Sequence, residues 1–248
     1  MITTASENRT DQAVTLASEQ NITRVANPLL QELLDSSILP GDDWLEIPSQ
    51  VREELISLTD EQVLLSRLVD KSLLTEYQAA RIEKGTTFGM VLGNYRLLQR
   101  IGAGGMGVVY LCEHVVMRRQ VAIKVLTDAE GPTSPQVMRF YSEMRAVSKI
   151  QHPNIVNALD AGKLMSDDPE TAALHYFVME YVAGQDLESL VVHNGPLPVG
   201  KACDLIHQIA GALVAAHQHN LIHRDIKPSN IMIGPDNQAK LLDFGLAR

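Results

Sequence analysis

The chain has 248 residues, 45% of them hydrophobic and 21% charged, with a formal net charge of −9 and a pI near 5.3. That composition fits an ordinary globular protein of one or two domains. It excludes a disordered tail, a collagen-like or low-complexity chain, and a non-specific nucleic-acid binder.

The charge is uneven along the chain. Residues 1–93 carry 15 acidic against 7 basic side chains, whereas residues 94–248 carry 15 against 14. This divides the sequence into an acidic N-terminal extension and a nearly neutral remainder. The start MITTASENRT is too polar for a signal peptide, and no apolar run approaches the roughly 20 residues of a membrane span. Cys112 and Cys203 stand far apart with no CxxC or Cys/His pairing, which argues against a disulfide framework or a zinc site and for a reducing compartment.

Residues 1–40, rich in Thr, Ser, Asn, Gln and Glu, read as mostly disordered, with one short helix around Leu29, Leu30, Leu33 and Leu34 ending before Pro40. Residues 41–93 read as an acidic helical extension. In it Thr59-Asp-Glu-Gln62 and Thr75-Glu-Tyr-Gln78 have the form of capping boxes, followed by periodic faces Val63, Leu64, Arg67, Leu68 and Tyr77, Ala80, Arg81, with Gly85 as a stop.

From Asn94 the period changes from helix to strand. Tyr95–Ile101, Val108–Glu113 and Gln120–Leu126 are β-favouring segments, Met138–Lys149 is a helix with Phe140, Met144 and Val147 on one side, and Val156–Leu159 and Tyr176–Tyr181 are two more strands across a polar loop, Lys163–Ala173. A helix from Val199 to His219 carries Leu205, Ile206, Ile209, Ala212, Leu213 and Ala216 around much of its circumference and should be buried. Five strands with one helix, then a helical region, form an α+β pattern.

Gly102-Ala-Gly104-Gly-Met-Gly107 is weak on its own. A dinucleotide fingerprint needs a helix directly after the glycines and an acidic residue about 20 positions on. Here strand-like Val108-Val109-Tyr110-Leu111 follows, and position 124 is lysine. The glycines therefore belong to a hairpin whose backbone, free of Cβ atoms, can close over phosphates. Lys124, in Val121-Ala122-Ile123-Lys124, is a cation in an apolar strand, and such burial costs free energy unless a partner or anion meets it. Glu143, 19 residues on, is the natural partner.

His223-Arg-Asp225-Ile-Lys227-Pro-Ser-Asn230 is followed thirteen residues later by Asp243-Phe-Gly245. With these in order, the 155 residues from Asn94 resemble the protein kinase family, in particular the eukaryotic-like Ser/Thr kinases of bacteria. The resemblance implies an N-lobe and hinge over 94–182, built as a five-stranded antiparallel sheet plus helix, and a partial helical C-lobe over 183–248. It implies that Gly102, Gly104 and Gly107 cover the phosphates of ATP, that Lys124 holds them and is oriented by Glu143, that Asp225 accepts the substrate hydroxyl proton, and that Lys227 neutralises phosphoryl charge. Asn230 and Asp243 would ligate Mg2+, with Mn2+ as an alternative. The adenine pocket would comprise Val109 and Ala122 above, Met232 below, Met179 as gatekeeper, and the backbone of Glu180, Tyr181 and Val182 at the hinge, with Asp186 meeting the ribose.

Arg224 and Lys227 favour a protein substrate, with Ser or Thr as acceptor. His152, in His152-Pro-Asn-Ile-Val156, and His223 read as structural. Because the chain stops three residues past Gly245, before an activation segment, it reads as a fragment that binds Mg-ATP weakly or not at all and transfers nothing alone. The competing class is a non-catalytic nucleotide-sensing scaffold, against which the intact motifs argue. The cytoplasm is the implied compartment, with room for a membrane anchor in sequence beyond Arg248.

Overall fold

The structure, a computed structural model, describes residues 25–104, 107–126, 134–165 and 173–242, without the side chain of Glu143. Its contacts divide it into two compact units, Met1–Ala79 and Ala80–Arg248.

The described part of the first unit is helical: α1 (Pro28–Asp35), α2 (Gly41–Glu46), α3 (Ser49–Ser57) and α4 (Glu61–Asp70), with α5 (Glu76–Glu83) running across the boundary. Asn27 starts α1. Its Oδ1 accepts from Leu30 N at 3.1 Å, and its Nδ2 donates to the Leu58 carbonyl at 2.8 Å. The short helix expected around Leu29–Leu34 is α1, and the segment is ordered on to Pro40, with Leu30, Leu33, Leu34, Ile38 and Leu39 all 5% exposed or less; the expectation of disorder over residues 1–24 falls outside the described residues. Five large apolar residues within ten positions bury enough surface to offset the ordering of a polar-looking segment.

The capping boxes divide. Thr75 Oγ1 accepts from Gln78 N (3.1 Å) while Gln78 Oε1 accepts from Thr75 N (2.8 Å), the full reciprocal pair. At α4 the cap is Asp60 rather than Thr59, its Oδ1 accepting from Gln62 N and Val63 N. The start of α4 is therefore one residue later than the box implied, and the buried face is Leu64, Leu65 and Leu68, with Val63 46% exposed.

Two stretches of this unit repeat one design. In each, a helix ends on a serine in the left-handed region, Ser37 (φ 58°) and Ser72 (φ 58°). Each serine is followed by two buried apolar residues, Ile38-Leu39 and Leu73-Leu74. The turn closes alike: Leu39 N donates to Leu33 O, and Leu74 N to Leu68 O. The spacing of 35 residues also superposes Leu30 on Leu65 and Leu33 on Leu68, all buried.

In the second unit, β1 (Val91–Leu92), β2 (Tyr95–Gly104), β3 (Gly107–His114), β4 (Gln120–Val125), β5 (Ala158–Leu164) and β6 (Leu174–Glu180) form an antiparallel sheet in the order β1-β2-β3-β4-β6-β5. The sheet has six strands where five were expected. β1 pairs Val91 with Arg96 and Leu92 with Tyr95 around Gly93 (φ 59°) and Asn94, so the charge shift at 93/94 falls inside a hairpin and the contact boundary lies upstream of it. Helix α6 (Pro135–Val147) is capped by Ser134, begins with proline, and buries Val137, Phe140, Met144 and Val147.

The chain then crosses residues 181–184 to a second antiparallel sheet, β7 (Gln185–Asp186), β8 (Ile231–Ile233) and β9 (Ala239–Leu241), accompanied by α7 (Leu187–Asn194), α8 (Val199–Gln218) and a 3-10 turn, Pro228–Asn230. The core here joins Leu205, Ile209, Ala212 and Ala216 of α8 to Ile155, Ile231, Ile233 and Leu241. Only that stripe of α8 is buried. Ile206, among the residues expected to be buried, is 61% exposed, and Val214 is 58% exposed, because β9 and its neighbours cover one face. By length and composition alone α8, 20 residues long, could also cross a membrane, although Lys201 and Asp204 interrupt its apolar residues, and the core helix of a globular unit passes the same test.

Candidate active site

Antiparallel pairing puts directly opposed residues, and every second residue, on one face of a sheet. Val109 pairs with Lys124 and Lys124 with Phe177, while Ala122 pairs with Met179. Val109, Ala122, Lys124, Phe177 and Met179 therefore share a face. Ala122, Val156 and Met179 form its apolar centre, with Val109, Phe177, Tyr181, Val182 and Leu242 packed around them. Lys124 is 8% exposed, a cation brought to the edge of an apolar patch. Gly102 and Gly104 lie in β2 opposite Val109 and Gly107, so the glycines do form the expected hairpin rather than a strand-to-helix turn. Gly107 (φ 154°) is forced: a Cβ there would run into the carbonyl of Val125. Gly104 has open space around it. Glu143 lies on α6; its side chain, like Asp243, is outside what the structure describes.

The second group sits on the loop after α8. Lys227 Nζ lies 2.9 Å from Asp225 Oδ2, and Asn230 Nδ2 donates to the same oxygen at 3.0 Å and to the Asp225 carbonyl at 2.8 Å. These hydrogen bonds from Lys227 and Asn230 hold the Asp225 carboxyl below its ordinary range, so it is an ionised, solvent-facing base at neutral pH. His223, 1% exposed, secures the loop from beneath. Its Nδ1 accepts from Asp225 N (3.3 Å), which leaves the proton on Nε2 to donate to the Leu242 carbonyl at 2.7 Å. Leu242 N in turn donates to Asn230 O at 2.9 Å. Asn230 and the residue preceding Asp243 are thus bound to each other through backbone. His152 is likewise an internal tie: its Nδ1 accepts from Asn154 N, and Asn154 Nδ2 donates to the Ala239 carbonyl at 2.7 Å.

A protein-family model described as protein kinase domain matches residues 95–248. The chain belongs to the protein kinase family. The serine/threonine-protein kinase PrkC of Bacillus subtilis is 41% identical over 157 residues, 63% of this chain and 23% of that protein. The serine/threonine-protein kinase pkn2 of Myxococcus xanthus is 42% identical over 159 residues, 63% of this chain and 18% of that protein. A crystal structure of the PknI kinase domain of Mycobacterium tuberculosis superposes with a TM-score of 0.53 at 31% identity, covering 64% of this chain and 62% of that one. The chain therefore spans about a fifth of the length of these curated relatives. Family membership carries use of ATP and a divalent metal ion as general properties.

In the kinase frame, the hinge groups are not all free to read a base. The Glu180 amide donates to the Asn157 carbonyl at 2.9 Å. The Glu180 carboxylate accepts from Lys240 Nζ and Asn157 Nδ2. Asp186 caps α7, accepting from Ser189 N (2.9 Å) and Ser189 Oγ (2.7 Å). Burial pushes its carboxyl up, but those bonds outweigh burial and leave it below its ordinary range. Met232 pairs with Asp186 and with Lys240 on the small sheet. Lys240 and Asn157 were missed by sequence reasoning. The same desolvation argument that singled out Lys124 applies to a lysine inside Ala239-Lys-Leu-Leu242, and would have found Lys240.

Proposed function

We propose that the protein carrying this sequence is an ATP-dependent serine/threonine protein kinase, which transfers the γ-phosphoryl group to seryl or threonyl hydroxyls of proteins. The observation that carries the reading is the Asp225–Lys227–Asn230 cluster, tied through His223 and Leu242 to the strand that leads into Asp243. The apolar face of Val109, Ala122 and Met179 suits an adenine ring, and Met232 is the candidate floor. Lys124, at the edge of that face, is suited to phosphate oxygens, with Glu143 as its orienting partner. Gly102, Gly104 and Gly107 allow backbone to approach the phosphates closely. The carbonyl of Glu180 and the backbone of Val182 would read the base edge, and Asp186 has acceptor capacity left for a ribose hydroxyl.

The oxygen donors of Asn230 and Asp243 fit a hard cation, since the Asn230 amide nitrogen is already committed to Asp225 and leaves Oδ1 as the free atom. Mg2+, or Mn2+ in its place, would supply charge neutralisation of the phosphates. Asp225 accepts the proton of the substrate hydroxyl as that oxygen bonds to the γ-phosphorus and the bridging oxygen departs with ADP. Proton transfer of this kind is worth about 10²–10⁴-fold in rate. Lys227, once drawn from Asp225 to the phosphoryl group, offsets its charge.

The test is transfer of label from γ-labelled ATP followed by phosphoamino-acid analysis. Label on Ser or Thr that disappears in Asp225→Asn is expected. Label on Tyr alone, or transfer that survives Asp225→Asn, refutes the reading.

A further inference from the structure

We infer that the buried ion pair between Glu180 and Lys240 holds the two walls of the nucleotide pocket in register, which makes Lys240 a positioning residue for adenine. The inference rests on the kinase reading above. Lys240 Nζ lies 2.8 Å from Glu180 Oε1 and 2.9 Å from Oε2, with the side chains only 10% and 21% exposed. Asn157 completes the carboxylate's shell, its Nδ2 donating to Oε2 at 3.1 Å and its N–H at 3.3 Å, and takes the Glu180 amide on its own carbonyl. A buried carboxylate met by a cation and two further donors has its desolvation compensated; the same carboxylate without Lys240 would not.

The position of this pair gives it a function. Glu180 directly follows Met179, which packs with Ala122 and Val109 on the six-stranded sheet. Lys240 stands opposite Met232 on the three-stranded sheet, and facing residues of an antiparallel pair project from one side. The floor residue and the lysine are neighbours on one face, and that lysine is bonded to the residue next to the gatekeeper. Between the sheets the chain runs through residues 181–184, where Gly184 approaches so closely that a Cβ would strike the Ile233 carbonyl. The ion pair is a side-chain tie beside the gatekeeper, joining positions 60 residues apart, and it adds to the backbone bonds Val156 N to Leu241 O and Leu241 N to Asn154 O that join the sheets further along β9. A hydrophobic pair of the same volume could serve stability as well or better. What charge adds is a fixed distance and direction between the sheets. A pocket that holds its register only part of the time binds with an affinity reduced by that fraction.

The pair acts on adenine and not on phosphate, which separates it from Lys124. In calorimetric titrations of the full chain, Glu180→Gln and Lys240→Met should weaken adenosine and ATP by the same factor, about tenfold. Lys240→Arg, which keeps a cation in reach of both carboxylate oxygens, should restore binding, and Lys124→Met should weaken ATP while sparing adenosine. The double variant Glu180→Gln/Lys240→Met leaves no lone buried charge and so folds even where a single variant fails. It should still bind both ligands weakly. Wild-type affinity for adenosine in the double variant, with or without a lower melting temperature, would overturn the inference and leave the kinase reading standing. So would a loss confined to ATP. A wild-type chain that binds neither ligand would overturn the inference and the nucleotide pocket proposed for this chain, and leave its family membership standing.

Discussion

Replacing His223 with phenylalanine isolates the tie between the catalytic loop and β9. Phenylalanine fills similar space but has no ring nitrogen, so both bonds are lost without a large cavity. The half-buried Leu242 carbonyl, which takes the 2.7 Å bond from Nε2, is left without its donor. An unsatisfied buried acceptor costs about 1–3 kcal/mol. The Asp225 N–H, 3.3 Å from Nδ1, lies on an exposed loop and can turn to water, so its loss adds about 1 kcal/mol at most. A total near 2–3 kcal/mol follows, and with a urea dependence of about 2 kcal/mol per molar the unfolding midpoint should fall by about 1–1.5 M. Far-UV circular dichroism is the appropriate probe, because the single tryptophan, Trp44, reports on the first unit. In the protein that carries this sequence phosphoryl transfer should fall as well, since the Asp225 loop loses its support. Asp225→Asn is the contrasting variant: its side chain is solvent-facing, so transfer should vanish while the midpoint stays in place. A His223→Phe midpoint within about 0.3 M of wild type would refute the argument that this imidazole secures the site.

Gly107→Ala should destabilise the chain, by more than about 1 kcal/mol, through its collision with the Val125 carbonyl and its unfavourable φ; Gly104→Ala, with open space around it, should leave the melting temperature unchanged yet weaken ATP in a titration. At α4, Asp60→Ala should cost about 1 kcal/mol in denaturant unfolding and Thr59→Ala a few tenths, because the N-cap bonds come from Asp60; equal costs would return the cap to Thr59. Asp186 has a folded-state pKa below its unfolded one, so its stabilising effect is present above the unfolded value near ~4 and is lost as pH falls through the folded value. The melting-temperature gap between wild type and Asp186→Ala should therefore be full at pH 6 and close below about pH 4, and a gap independent of pH would contradict the helix-cap account.

The candidate site's residues could be named from sequence partly because phosphate binding and proton transfer call for few residue types. A lysine in an apolar strand and glycines in a hairpin announce themselves by cost or conformation, whereas the Asp225–Lys227–Asn230 loop and the residues Val109, Ala122 and Met179 were named through the family resemblance; the sheet register brings Lys124, Val109, Ala122 and Met179 to one face. Other parts had no comparable signal. β1 is two residues long and owes its existence to its pairing with β2, which local sequence does not encode. Around the short helix at Leu29–Leu34, polar residues dilute the apolar ones and hid the burial of Ile38 and Leu39, and the 35-residue repeat shows only when Ser37 and Ser72 are seen with the same backbone. The exposed stripe of α8 has the same side-chain chemistry as the buried one, so hydrophobicity alone could not tell which face β9 covers. The helix-capping role of Asp186 had no signal of its own, because a carboxylate in a loop and a carboxylate at an N-cap are the same residue in sequence; only the bonds from Ser189 show the cap.

The central claim is that the glycine hairpin, Lys124 and the Asp225–Asn230 loop form one ATP site. Titration of ATP into the full chain with and without Mg2+, for wild type and Lys124→Met, tests it most directly. Weak but saturable one-to-one binding is expected, which Mg2+ strengthens and Lys124→Met weakens by at least about tenfold, the loss of one desolvated charge–phosphate contact. Binding that is indifferent to both the metal and Lys124, or no saturable binding at all, would contradict it.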